Sequence, residues 1–255
     1  MKKLSLVALS MALCGAAAAQ DGSANQASGD PEALNPFVPQ EHPVAYAEIG
    51  FATPIQYPSP EAMVNGVRFN LIYGESFGVY GFDFGLVGFN RDSAEGLALY
   101  AGVDWTENDF IGAQFGGIAN VALGNSKGFE LAGIVNYNRG CYTGGQIGLI
   151  NFDGEFIGGQ IGGFNYDKGV CWGFQLGFAN AAVNEYHGWS IGAVNYAERL
   201  YGLQFGGVNI AAETGRGIQI GVFNCADNFI GMQIGLLNII GNGDLPIMPI
   251  LNARF

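Results

Sequence analysis

The chain has 255 residues, 42 of them glycine, with 49% hydrophobic and 13% charged side chains and a formal net charge of −12. A chain this acidic lacks the basic footprint that phosphate neutralisation needs, which excludes nucleic acid as a partner. So many apolar side chains among so few charges are unusual in a soluble protein, and something must cover them.

The N-terminus reads Met1-Lys2-Lys3, then an apolar run from Leu4 to Leu13, then Gly15 followed by four alanines to Ala19. Charged, apolar and small-residue regions in that order predict a secretory signal peptide over residues 1–19, cleaved after Ala19. The run is shorter than the roughly 20 apolar residues that a membrane-spanning helix requires. Leu13 sits where a lipid-attachment signal at Cys14 would want a small residue. Residues 20–43 carry Asp21, Asp30, Glu32 and Glu41 among Pro31, Pro36, Pro39 and Pro43, without periodicity, and predict a flexible acidic leader.

Residues 44–255 are expected to form a single β-repeat domain. Apolar runs broken by glycine at Val44 to Gln56, Val67 to Tyr73 and Phe77 to Phe89 predict strands. Between Gly144 and Asn238 the phrase Gly-x-Gln-(Ile/Leu/Phe)-Gly-x-x-Asn then occurs seven times, starting at Gly144, Gly158, Gly173, Gly188, Gly202, Gly217 and Gly231, with Ser190 the one break in the Gln rule. Looser copies start at Gly81, Gly112 and Gly128, and Gly96 keeps the spacing. Tandem identity of this kind specifies an architecture of repeated units. No stretch shows a sustained helical period.

In an extended unit alternate residues face opposite ways, so Gly173, Gln175 and Gly177 share one side and Phe174, Leu176 and Phe178 the other. Charges collect in the joints, at Asp153, Glu155, Asp167, Lys168, Glu185, Glu198, Arg199, Glu213, Arg216 and Asp227. Two architectures use such units. One strand per repeat gives an antiparallel up-and-down meander, which over the whole domain makes about 14 strands, an even number suited to an outer-membrane β-barrel with its apolar side in lipid. The terminal Phe255 on an apolar-alternating last strand suits that barrel. The alternative is a parallel β-solenoid, each unit one coil, with Gln and Asn stacked in ladders and Ile147, Ile161, Leu176 and Ile191 inside. The scarcity of charge favours the barrel, because lipid accepts aromatics such as Tyr142, Phe156, Phe164, Tyr186 and Phe223 that a solenoid would expose.

The phrases Val64 to Gly74, Val194 to Gln204 and Leu245 to Asn252 resemble the bacterial surface-repeat family, whose tandem units of about 15 residues carry the Gly-x-Gln-x-Gly-x-x-Asn core. The resemblance spans about Ala45 to Phe255. It implies a cell-surface or outer-membrane location in a diderm bacterium and no known activity. Asp83, Glu130 and Ser190 depart from the family pattern, which prefers Gln.

Little in the chain promises chemistry. His187 lies near Glu185, but a lone pair lacks the third ligand or the nucleophile that a metal or acid-base site requires, and His42 sits in the leader. The glycines recur within strands with no Gly-Lys-Ser/Thr, so they do not form a phosphate loop. Once the signal peptide with Cys14 is removed, Cys141, Cys171 and Cys225 remain, an odd set without paired spacing, read as small buried or interfacial residues. We therefore expect no enzyme, and no catalytic, cofactor-binding or metal residues. The expected function is an exported outer-membrane or surface β-repeat protein of structural or pore-like character, in contact with outer-membrane lipid. The alternative is a soluble or surface-attached solenoid acting as an adhesin or partner-binding platform.

Overall fold

A computed structural model describes residues 42–255. The expected signal peptide and all of the expected leader except His42 and Pro43 lie outside the described residues. The elements are β1 (Val44–Ala52), β2 (Ile55–Tyr57), β3 (Met63–Ser76), β4 (Gly78–Asn90), β5 (Ala94–Thr106), β6 (Phe110–Gly116), β7 (Ala119–Ala122), β8 (Ser126–Ala132), β9 (Val135–Asp167), β10 (Cys171–Ile240) and β11 (Ile247–Arg254). The fold is all-β, with no helix among the described residues.

The architecture is a parallel β-solenoid, which corrects the expected barrel. Sheet order runs β11-β10-β9-β8-β6-β5-β4-β3-β1-β2, so β2 and β11 end opposite sides of the sheet and no closure joins them. Equivalent residues pair in register: Gly158 with Gly173, Gln160 with Gln175, Asn165 with Asn180. Hairpins would have paired each repeat with its inverse. Instead each repeat travels one full circuit and returns above its own starting point, as β6, β7 and β8 show: β6 pairs β8 in parallel, while β7 between them pairs β5 and β9. The long elements β9 and β10 run through several coils without leaving extended conformation. Antiparallel strands close both ends, β2 against β1 and β11 against the last coil, which shields the edges where a solenoid would otherwise polymerise.

Glycine makes the close stacking possible. Twelve glycines from Gly66 to Gly231 hold φ between 128° and 153°, a region nearly closed to residues with a Cβ. At Gly158 an added Cβ would lie 1.9 Å from the carbonyl oxygen of Gly144 in the coil below. The next residue, Gly159, has nothing within 4 Å of that point. The repeat's second glycine serves the interior: a Cβ on Gly162 would meet the Asn151 amide at 2.8 Å and that of Asn165 at 3.1 Å.

Side-chain direction reverses the expectation for a solenoid. Gln146, Gln160 and Gln175 point inward and are fully buried or nearly so, whereas Ile147, Ile161 and Leu176 point outward and are 38%, 44% and 39% exposed. Tyr142, Phe156 and Tyr186 are buried, not exposed; with Cys171, Leu200, Phe229, Ala182, Ala197, Ala211 and Ala226 they form the apolar half of the interior. Asp153 and Asp167, read as joint residues, are also fully buried. They stand two residues after Asn151 and Asn165 and so share the inward parity of the amides.

Gly158→Ala is expected to lower unfolding free energy by at least about 2 kcal/mol from backbone strain, or to abolish folding. Gly159→Ala should stay within about 0.5 kcal/mol of wild type. Urea denaturation followed by circular dichroism measures both.

Candidate functional site

Two features stand out: a polar interior and an apolar exterior. Inside, Asn120, Asn136, Asn151, Asn165, Asn180, Asn195, Asn209, Asn224 and Asn238 form a continuous ladder in which each amide donates to the next Oδ1 toward the C-terminus, at 2.7 to 2.9 Å. The second N–H of each donates to a backbone carbonyl of the following coil, as Asn151 does to Ile161 and Asn165 to Leu176, both at 3.1 Å. The Gln ladder runs with opposite polarity. Gln160 donates to Gln146 at 3.2 Å and Gln175 to Gln160 at 2.8 Å, and Gln219 and Gln233 repeat the pattern above Gln204. Ser190 interrupts it and bonds Asn195 at 2.7 Å. Amides suit this environment because each carries both donor and acceptor and no charge.

Carboxyls occupy the same column. Toward the N-terminus Arg68 is fully buried and bidentate to Asp83, at 2.6 and 2.7 Å, with Tyr100 bonded to both. Asp104, Glu130, Asp153 and Asp167 are buried further along, where no buried lysine or arginine appears among the described residues. Burial pushes Glu130 up to about 7, against the pull of hydrogen bonds from Asn138 and Gln146. Burial, then repulsion from Asp83, lifts Asp104 to about 8. Asp167 rises to about 7 through burial, opposed by hydrogen bonds from Cys171 and Gln160, and burial with repulsion from Asp167 and Glu130 raises Asp153 well above its ordinary range.

Glu130 shows the reason in its bonding. It stands at a Gln position and accepts from Gln146 at 3.0 Å, while its other oxygen and the Oε1 of Gln114, its partner in register, lack donors. A proton on Glu130 supplies the missing donor and makes the acid an isostere of glutamine.

The two residues singled out for possible chemistry, His187 and His42, take structural places. His187 bonds Glu185 and stacks between Trp172 and Tyr201, with ring centroids 3.9 and 4.7 Å away, while Arg199 reaches Glu185 at 3.3 Å. His42 stacks on Phe77 at 3.4 Å. Cys141, Cys171 and Cys225 are free thiols. Among the described residues no group of three or more His, Cys, Asp or Glu is placed to hold a metal ion.

Outside, the corner where each coil bends from its first strand to its second carries only apolar residues. It runs from Phe69, Leu71 and Ile72 through Leu149, Phe164 and Phe178 to Leu236 and Leu237. Glycines beneath it leave an open groove of about 500 Å³ between Ile147, Leu149, Ile161 and Leu176. Half a coil away lies the charged ridge of Glu155, Lys168, Glu185, Arg199 and Glu213. The sequence placed these charges in the joints, together with Asp153 and Asp167, which are in fact buried. Comparison of the chain with protein-family models, curated proteins and solved structures gives no match.

The raised carboxyls set a pH dependence. The folded state holds protons that the unfolded chain, with ordinary acids near 4, releases, so stability falls as pH rises from about 4 to about 8. Thermal unfolding should therefore show a higher Tm at pH 5 than at pH 8. Glu130→Gln should match wild type at pH 5 and exceed it at pH 8 by roughly 1–3 kcal/mol.

Proposed function

We propose that this chain is exported to the cell envelope of a diderm bacterium and acts there as a non-catalytic binding platform, in keeping with its resemblance to the surface-repeat family. The observation that carries the reading is the inverted distribution of side chains. A folded chain that buries amides and carboxyls while exposing Phe178 at 64% and Leu236 at 73% presents a surface made for contact. The pore-like reading loses its basis, since side chains fill the interior and leave no lumen. An adhesin or a partner-binding solenoid needs neither lumen nor active site, and the regular exterior offers the same contact repeated along its length.

Expression of the full chain in a diderm host tests this reading. Mass spectrometry should find the mature chain beginning at Gln20, and the protein should sediment with envelopes after a high-salt wash. Recovery as an unprocessed cytoplasmic protein, or as a processed monomer free in the soluble fraction, would overturn it.

A further inference from the structure

We propose that the apolar corner is a lipid-inserting edge and that the solenoid lies along a membrane surface, its long axis in the membrane plane and its charged ridge toward water. The proposal rests on the platform reading above and names the occupant of that surface.

Three observations support lipid as the occupant. The first is the backbone. Hydrocarbon tolerates only polypeptide whose N–H and C=O groups are already paired, and at this corner they are. Gly133 and Ile134 donate to Gly116 and Ile118, and Ile150 donates to Ile134, at 2.8 to 3.0 Å. The carbonyls of Leu131, Ile147, Ile161 and Leu176 accept the inward Asn amides from the coil before, at 2.9 to 3.1 Å. The corner therefore meets the backbone condition that insertion imposes.

The second is the order of chemistry around the coil. From the charged ridge the circumference passes on one flank through Trp172, His187 and Tyr201 and on the other through Tyr137, Phe152 and Tyr166, all in stacked rows, before reaching the aliphatic corner. Charge, then amphipathic ring, then hydrocarbon is the sequence of layers at a bilayer surface, where Trp and Tyr concentrate.

The third is shape and charge. The uncharged corner recurs in every coil from Phe69 to Leu237, a line about 50 Å long at the usual ~4.8 Å strand spacing. An uncharged apolar line of this length suits insertion into a fluid hydrocarbon layer. With a net charge of −12, electrostatic attraction to anionic lipid has no part, so binding is apolar and insensitive to salt.

The test is flotation of the purified mature chain with phosphatidylcholine vesicles at low and high salt, read together with tryptophan quenching by lipids brominated on the acyl chain. Wild type should float at both salt concentrations and be quenched. A Leu149→Ser/Phe178→Ser/Leu236→Ser variant, changed at residues 54%, 64% and 73% exposed, should keep the wild-type circular dichroism spectrum and float at least tenfold less. Wild type that stays at the bottom, as a monomer or as a dimer by sedimentation velocity, overturns the proposal, as does unimpaired flotation of the variant. If the full chain still sediments with envelopes in cells while pure vesicles fail to bind it, lipid is not the occupant and the platform reading stands.

Discussion

The inward Asn ladder is the interaction on which the rest of this structure depends. From Asn136 to Asn224 each Asn accepts from the coil before, donates to the Asn of the coil after, and ties down a backbone carbonyl at the bend, as Asn165 does. A buried amide left without partners costs about 1–3 kcal/mol, so the ladder is favourable only when every coil takes part in the same register. Strand alternation then leaves no choice for the neighbours. With Asn165 and Gln160 inside, Ile161 and Phe164 must face out. Polar satisfaction therefore sets the direction of the apolar surface, an inversion of the usual order in which apolar burial is satisfied first.

Acids enter this interior only as guests of the amide network. Glu130 replaces a ladder Gln, and Asp153 and Asp167 take amide hydrogens from Gln146, Gln160 and Gln175. Where a buried cation is present, at Arg68, the acid beside it forms a bidentate pair. Where none is present, the carboxyls relieve their desolvation by holding protons. Glu48, buried near Arg68 but not paired with it, is raised by burial to about 7 like the acids further along.

Much of this was legible in the repeat. The spacing of Gly144, Gly158 and Gly173 announces identical units, and the alternation within them separates a Gly-Gln-Gly side from an aliphatic side. Two matters were hidden. A period of two is common to a hairpin strand and a solenoid coil, so it does not reveal that each repeat closes a circuit. Nor does it tell which side is inside, because that depends on amides in adjacent coils meeting each other, a property of three-dimensional register. The barrel reading placed Gln inward and the aliphatics outward, which agrees with the structure although its topology does not. The solenoid reading had the topology and inverted the faces. Asp153 and Asp167 were assigned to joints because they carry charge, while their parity with Asn151 and Asn165 already pointed inward.

The direction of the side chains is open to one direct measurement, the rate at which thiols react with a soluble maleimide in the folded protein. Cys171 shares the parity of Gln175 and is fully buried, whereas Ile161 lies on the outward side. In a chain carrying Ile161→Cys with Cys14, Cys141 and Cys225 replaced by alanine, the thiol at 161 should react at nearly its unfolded rate and Cys171 only after denaturation. Rapid labelling of Cys171 in the native protein together with protection of the thiol at 161 would contradict the account.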